Sequence, residues 1–547
     1  VNSRSMLGRR DGAGRPGRDR HAEMIAPPRG RNRFTGDAPA VAVVGGGIAG
    51  LAAATVLAER GARVTLYERE EVLGGRVAGW PVPLADGSRA TMTRGFHAFF
   101  RQYYNLRGLL RRVDAGLGML TGLPDYPLQH VDGRSERFAR VPKTPPWNAL
   151  GFVALSPSFR WRDLSRMNPA AAGPLLDVRV PQIYERLDAV DAARFLTATG
   201  FPDAARHLAF EVFSRSFFAD PERLSAAELA LMFHIYFLGS AEGLLFDVVR
   251  DPFPQALWDP LGSYLDGLGV RVRPGTPVQQ VRPLGGAGVE IVGEGAADRC
   301  DAVILALDVD GLRGVVARSP GLGDQQWRAR VQRLRTAPPF LVSRLWLDRP
   351  PRPDRPAFLA TSGFGTLDNV SLPDRWEGEA ARWAARTGGS IVELHAYALP
   401  VTCDRRAEQD RLLAQLHRVY PETRRARIVD VRHLWREDCP LFAPGGYWDR
   451  PTVATPHPYV MLAGDLVRTD LPVALMERAA TSGFLAANAL LARWGVRGET
   501  LWTVPRAGRS RLLRTLAALV APGGFDVVDA VQPGNRPVAR SRQRRSA

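Results

Sequence analysis

The stretch Val41 to Ala54, VAVVGGGIAGLAAA, constrains this chain more than any other. It reads as an apolar strand, a turn with Gly45, Gly47 and Gly50 in G-x-G-x-x-G register, and an alanine-rich helix. A second apolar run, Val64 to Tyr67, ends in Glu68. Strand, glycine turn, helix, strand and acidic tip together predict a βαβ unit that binds a dinucleotide through its ADP half. Gly45 permits the tight turn, Gly47 lets backbone approach a pyrophosphate, and Gly50 lets the helix pack close to the sheet. The helix N-terminus offers free N–H groups and partial positive charge to phosphates. Glu68 can accept both ribose hydroxyls and would repel a 2′-phosphate, which disfavours NADP.

Further glycine turns lie where they extend this unit. Leu73-Gly74-Gly75-Arg76 follows the second strand, so its backbone can approach a ligand anchored by the first turn, and Arg76 can meet its phosphates. Asp301 to Leu307 predicts a buried parallel-type strand. Near the C-terminal end, Tyr459 to Ala463 predicts another strand, stopping at Gly464-Asp465. Leu471 to Glu477 and a small-residue helix, Arg478 to Ala492, come next. A strand that stops at Gly-Asp before a helix N-terminus suits a polar chain and a ring carrying negative charge.

Between these elements the pattern is mixed. Residues 110 to 250 read as helices with proline-rich connections, and Ala226 to Phe246 as one apolar helical stretch. Short strands are predicted at Val270–Val272, Val278–Val281 and Val289–Val292, with strands of a second sheet at Leu341–Leu347 and Ser390–Ala398. Five aromatics and a histidine crowd into Thr93 to Leu106, which reads either as a core helix start or as the lining of an apolar pocket.

A formal charge of +17 invites a nucleic-acid reading, but nearly all of it is arginine, Lys143 being the single lysine. The arginines are scattered except at the two ends, and no nucleic-acid motif accompanies them, so no nucleic-acid partner is expected. Cys300, Cys403 and Cys439 form no C-x-x-C pair, which predicts a reduced, cytoplasmic setting. The histidines show no ligand spacing, so no metal site is expected. The first forty residues, rich in Arg, Gly and Pro, are expected to be disordered, with Met24 a candidate start. The best apolar run, Leu229 to Ala241, is too short to span a bilayer.

The Gly45–Gly50 motif with Glu68, the Gly74-Gly75-Arg76 turn, the Asp301–Leu307 strand and Gly464-Asp465 together resemble the FAD-dependent amine-oxidase and phytoene-desaturase superfamily. The resemblance implies an α/β fold: a discontinuous Rossmann-like FAD-binding domain with an inserted α+β substrate domain. FAD-binding parts are placed at 39–110, 256–310 and 431–496, and substrate parts at 111–255 and 311–430. An Arg-rich N-terminal segment is placed at 1–38, and a basic tail with possible membrane contact at 497–547. It implies that Glu68 holds the adenosine ribose, that Asp465 holds the ribityl chain, and that Pro472 to Met476 pass near the isoalloxazine. Ile48, Ala49, Arg69, Val278 and Val473 complete the implied cofactor contacts.

The phrases RGFHAFFRQYYNLRGLLRR, SRSFFADPERLSAAELALMFHIYFLGSAEGLLFD, ELHAYAL and DLPVALMERAATSGFLAAN are similar to carotenoid desaturases, nearest to the isorenieratene synthase type. That likeness covers roughly residues 40 to 495. It implies aromatisation of a β-carotene end ring by desaturation with a 1,2-methyl shift, with FAD accepting hydride and an unknown final electron acceptor. A hydrocarbon substrate offers no hydrogen-bonding handle, so an apolar tunnel is implied, with Phe96, Phe99, Phe100, Phe233, Tyr236, Phe237 and Phe246 as candidate walls. His97 and Glu242 are candidate bases and Arg94 a candidate modulator of charge near the flavin. Because the substrate lives in a bilayer, docking on the inner face of the cell membrane is expected, with Arg509 to Val520 as a basic, apolar helix for that surface. Two other readings stay open: a flavin amine oxidase or acyclic-carotene desaturase, and a non-enzymatic prenyl-lipid carrier of the GDI kind.

Overall fold

The structure, a computed structural model, describes residues 15–159, 161–202, 217–284, 288–293 and 297–520. Five strands form one parallel sheet in the order Arg271–Arg273, Arg63–Tyr67, Ala40–Val44, Ala302–Leu305, Val460–Leu462. Three remote stretches of chain thus build one sheet. Val41, Val43, Ala302 and Ile304 face a core shared with the Ile48–Glu59 helix, whose residues from Ile48 to Ala58 are all buried. That helix is apolar on every side because the Leu475–Arg493 helix covers it. Gly483 makes the contact possible: a Cβ there would stand 2.2 Å from the Ala49 carbonyl oxygen. On the opposite face lie the antiparallel meander Val278–Pro283, Val289–Gly293, Ala297–Cys300 and the Val309–Arg318 helix.

A seven-stranded sheet forms the second layer system, in the order Ile428–Arg436, Phe340–Leu347, Ser390–Ala396, Asn369–Ser371, Phe358–Ser362, Leu128–His130, Ser135–Glu136. Phe340–Leu347 is buried at every residue, one face against the Arg405–Val419 helix side and the other against the Gly79–Pro83/Arg89–Thr93 hairpin. The hairpin carries the chain from the nucleotide sheet to this second sheet. Helices including Trp147–Leu155, Gln182–Leu187 and Ala226–Phe233 surround a third apolar core.

Three expectations are corrected. Residues 15–38 are not disordered: Glu23–Ile25 pairs antiparallel with Leu501–Thr503, and Asp19 forms an ion pair with Arg509 at 2.9 Å. The basic tail is therefore structured from Leu501 to Val520, while residues 1–14 and 521–547 lie outside the described residues. Ala226 to Phe246 is not one helix: the α-helix ends at Phe233, a wider π-turn spans His234–Leu238, and Phe246–Val249 is a strand. A domain boundary at 430 would cut the Ile428–Arg436 strand.

Candidate functional site

The first glycine turn is built for a ligand rather than for packing alone. Gly45 has φ +109°, and Gly50 has no room for a side chain because its Cβ would lie 1.9 Å from the Gly45 carbonyl oxygen. Gly47 differs: a Cβ there would meet only Gly75 Cα, at 3.8 Å. Gly47 bridges Gly74, so the two glycine turns face each other across a narrow cleft. Gly74 has φ +105° and lies against Trp258, whose indole N–H donates to the Val77 carbonyl at 2.7 Å. Ile48 and Ala49 open the helix, whose N-terminus at Gly47 has no side-chain cap, so its first N–H groups have no side-chain partner there.

Glu68 is buried at the tip of its strand, where it accepts from the Gly46 N–H at 2.6 Å and the Glu70 N–H at 2.9 Å. Its backbone carbonyl accepts from the Thr276 N–H at 2.7 Å, which brings the half-buried Val278 strand beside it. Arg69 turns outward and pairs with Glu70 at 3.2 Å and Asp308 at 3.1 Å.

Past Gly464, at φ +136°, Asp465 forms an ion pair with Arg76. The second glycine turn and the Gly-Asp motif thus meet directly. Pro472 and Val473 are buried, Met476 is half-buried against the nucleotide core, and Leu475 takes φ +51° as the chain enters its helix. That helix also lacks a side-chain cap. Arg478, fully buried, donates to the Val473 carbonyl at 2.9 Å and the Asp465 carbonyl at 3.4 Å, and so fixes the loop from behind.

The cleft fits FAD on three observations: facing glycines where a side chain would fill the gap, two uncapped helix N-termini, and a buried carboxylate at each end. Gly45, Gly47, Ile48, Ala49, Gly50, Glu68, Gly74, Gly75, Arg76, Gly464 and Asp465 could hold it; Val278 opens the strand after Thr276, and Pro472, Val473 and Met476 follow Asp465 in the loop that Arg478 braces. Sequence reading missed Ser482, whose hydroxyl accepts from the Gly464 N–H at 2.8 Å, and Trp258, which seats Gly74.

From the Arg76–Asp465 pair the site continues along the Thr93–His97 loop. Arg94 grips Asp438 with one guanidinium nitrogen 2.5 and 2.7 Å from the two carboxylate oxygens. Burial pushes the Asp438 carboxyl up, but Arg94 and Arg76 outweigh it and hold the group below the usual range. Gly95, at φ +93°, lets the loop lie on His395, since a Cβ would come within 2.4 Å of that ring. His97 shares its Nδ1 with the Gly95 carbonyl at 2.9 Å. Burial brings its pKa down to about 4, and Arg94 and His395 push the same way, so the imidazole stays neutral.

Beside His97 lies a cavity of about 20 Å³ lined by Phe96, Val248, Phe253, Trp376 and, on its polar side, Arg344, Glu377 and Glu393. Sequence reading missed this polar wall. Arg344 and Glu393 are cross-strand partners 2.7 Å apart, both almost wholly buried. Arg344 also donates to the Thr91 carbonyl and to the Thr93 hydroxyl, at 2.9 and 2.8 Å. Glu393 in turn meets His395 at 2.9 Å, and His395 meets the Tyr397 hydroxyl at 2.7 Å. The period-two spacing of Glu393 and His395 in ELHAYAL was the available signal.

The aromatic candidates other than Phe99 are joined by a chain of ring-to-ring contacts. Phe96 stacks on Phe358 at 4.2 Å and meets Phe246 edge-on at 5.9 Å. Phe246 contacts Phe100 and Tyr126, and the line runs on through Phe138 and Phe152 to Phe237 and Phe233. Tyr236 belongs to it through Phe100, and its hydroxyl shares a 2.9 Å hydrogen bond with Tyr103. Phe99 lies behind, buried against Phe253.

Glu242 is corrected as a candidate base. Its carboxylate accepts from the backbone N–H groups of Arg18 and Asp19, at 3.1 and 3.3 Å, and from the Tyr104 hydroxyl at 3.2 Å. It anchors the N-terminal segment. His97 lines the cavity, and Arg94, next to the lining residues Thr93 and Gly95 in the chain, is bonded to Asp438.

Comparison with known proteins adds the following. The family described as flavin containing amine oxidoreductase matches residues 48–491. A carotenoid phi-ring synthase of Streptomyces griseus is 70% identical, over 94% of this chain and 100% of that protein. A carotenoid phi-ring synthase of Chlorobaculum tepidum is 28% identical, over 85% of this chain and 90% of that protein. Among solved structures, cyclohexylamine oxidase from Brevibacterium oxydans superposes with a TM-score of 0.60 at 15% identity, covering 84% of this chain and 100% of that chain. At that identity the likeness shows the fold alone.

Proposed function

The chain belongs to the flavin containing amine oxidoreductase family, on the branch of the carotenoid phi-ring synthases, and is an FAD-dependent oxidoreductase; on that premise we propose that it aromatises the β-ring of a carotenoid by desaturation with a 1,2-methyl shift. The observation that carries the reading is the continuous chain of aromatic contacts that ends at Phe96, which lines one cavity with His97. A polyene has no polar handle, so such a line is what can hold it. Bound FAD supplies the two-electron acceptor.

In this reading Glu68 holds the ribose, the Gly45–Gly50 and Gly74–Arg76 turns hold the pyrophosphate, and Asp465 holds the ribityl chain. Val473 and Met476 would contact its ring system. Arg94 keeps Asp438 ionised and sets the charge beside the flavin edge. Aromatic faces at Phe96, Phe246 and Trp376 stabilise the passing carbocation. Among the described residues no helix is long and apolar enough to cross a membrane. In this reading the substrate comes from a bilayer surface, and exposed apolar side chains such as Leu512 and Leu519 would meet that surface.

Expression in a β-carotene-producing host, with mass analysis of the pigments, tests the reading. Loss of four hydrogens per converted ring is the expected result. β-Carotene recovered unchanged overturns it, and an acyclic product would favour the desaturase alternative instead.

A further inference from the structure

Aromatising a ring by oxidation and methyl shift releases protons as well as hydrides, and each proton needs an acceptor at the ring. The polar wall of the cavity holds three ionisable groups, of which two are committed. Glu393 is bonded to Arg344 and His395, and Arg344 to Glu393 and two groups of the Thr91–Thr93 strand. Glu377 is different. It is 8% exposed, it lines the same cavity as Phe96 and His97, and among the described residues its carboxylate has no hydrogen-bond partner. It sits at the N-cap of the Gly378–Thr387 helix, yet does not cap it. A buried carboxylate without a partner costs several kcal/mol unless it is neutral or has a ligand to serve.

We propose that Glu377 is the catalytic residue that takes the protons from the end ring, a role that rests on the carotenoid reading above. In each oxidation an allylic C–H bond of the ring breaks and its hydrogen leaves with both electrons as hydride to the flavin oxidant. In the methyl-shifting step, a geminal methyl then moves with its electron pair to the adjacent cationic carbon, which places the positive charge on the former quaternary carbon. A neighbouring C–H bond breaks, its electron pair closes the new C=C bond, and the proton goes to Glu377. The carboxylate becomes neutral as the cation does, so charge balances within the cavity.

The surroundings suit this exchange. Burial raises the Glu377 carboxyl to about 7, against the pull of Arg344, while Glu379, Glu393 and Asp251 raise it further. The groups acting on it are thus Arg344 and Glu393 from the large sheet, Glu379 from its own helix and Asp251 from the turn after the Phe246–Val249 strand, while His97 lines the same cavity. His97, held near 4, is the weaker base by about three orders of magnitude.

The test compares the wild-type holoenzyme with Glu377→Gln and Glu377→Asp, on β-carotene in liposomes, after flavin content and melting temperature have been matched. The wild-type rate is expected to rise with pH through about 7, as the carboxylate ionises. Glu377→Gln is expected to lose about a hundredfold or more in aromatic product and to lose that pH limb. Glu377→Asp should keep the limb at a lower rate. A readout independent of turnover is the carboxylic-acid carbonyl band in infrared difference spectra taken on either side of neutrality. That band should be present in wild type and missing in Glu377→Gln. Full activity with an unchanged pH profile in Glu377→Gln, or a wild-type spectrum without the band, overturns the proposal while leaving the carotenoid reading intact. Wild-type enzyme that makes no aromatic product fails the reading itself, and the proposal falls with it.

Discussion

At the scale of single residues, the two helix-side glycines of the first turn separate folding from cofactor binding. A Cβ on Gly50 would overlap the Gly45 carbonyl, and no side-chain movement can relieve a clash with backbone. A Cβ on Gly47 makes only ordinary contact with Gly75, but projects into the cleft. Gly50→Ala is therefore expected to cost several kcal/mol and to give little folded protein. Gly47→Val is expected to melt within a few degrees of wild type and to be purified without flavin absorbance. A yellow Gly47→Val protein would show that the cleft is not where the dinucleotide lies. The glycine turns, Glu68 and Asp465 stood out in sequence because each sits in a short local motif whose conformation admits few residue types, though Asp465 lies far along the chain from the others. Glu377 was not legible. Its role comes from what surrounds it, and Arg344, Glu393 and His97 reach it from distant strands and loops. Glu242 misled for the same reason: an apolar setting in sequence is compatible with a base in a pocket and equally with an anchor for Arg18 and Asp19.

At the scale of elements, strands with a strict pattern were read correctly in type and place: Phe340–Leu347, Ser390–Ala396 and Val460–Leu462 are where apolar runs predict them. The Ala226–Phe246 stretch was misread because an apolar run carries no record of a π-turn or of the reversal after it. Two helices present apolar groups outward. Trp147, Leu150 and Leu155 on Trp147–Leu155 are 63%, 50% and 55% exposed, and Leu512, Leu516 and Leu519 on Arg511–Val520 are 67%, 41% and 70% exposed. The second helix packs on Pro169–Leu176 and also carries Arg511 and Arg514. Such a face suits an anionic bilayer surface. Burying three leucines is worth about 1.5–3 kcal/mol each at most. Replacing Leu512, Leu516 and Leu519 together by Ser should weaken co-sedimentation with anionic liposomes at least about tenfold, with flavin content unchanged. Undiminished binding would exclude this helix as the contact. Point substitution is the sharper test, because truncation before Leu501 also removes the strand that pairs with Glu23–Ile25.

For the whole molecule, the question is what holds the nucleotide sheet in register with the helices of the aromatic line. Composition hid one tie, the 15–38 segment, since its partners Leu501–Thr503, Arg509 and Glu242 lie hundreds of residues away. The stronger tie is a buried ionic triad. Glu228 on the Ala226–Phe233 helix binds Arg450 and, at 2.9 Å, Arg478 on the Leu475–Arg493 helix, with Glu228 and Arg478 each 1% exposed. Arg478 is the residue that braces the Asp465 and Val473 carbonyls, so the triad links the Ala226–Phe233 helix to the Asp465 end of the cleft. Burial pushes the Glu228 carboxyl up, but Arg478 and Arg450 together outweigh it and hold the group below its usual value. A carboxyl depressed by folding stabilises the protein above its unfolded value of about 4.3. That stability is lost as pH falls through the folded value. Glu228→Gln keeps the shape and leaves two buried guanidinium groups uncompensated, at a cost of about 3–5 kcal/mol. The expected result near neutral pH is a lower melting temperature and weaker retention of FAD in Glu228→Gln. As pH falls, the wild-type advantage should shrink, because wild type loses the charge the variant never had. A constant gap between the two melting curves down to strongly acid pH would mean that shape, and not charge, makes the tie.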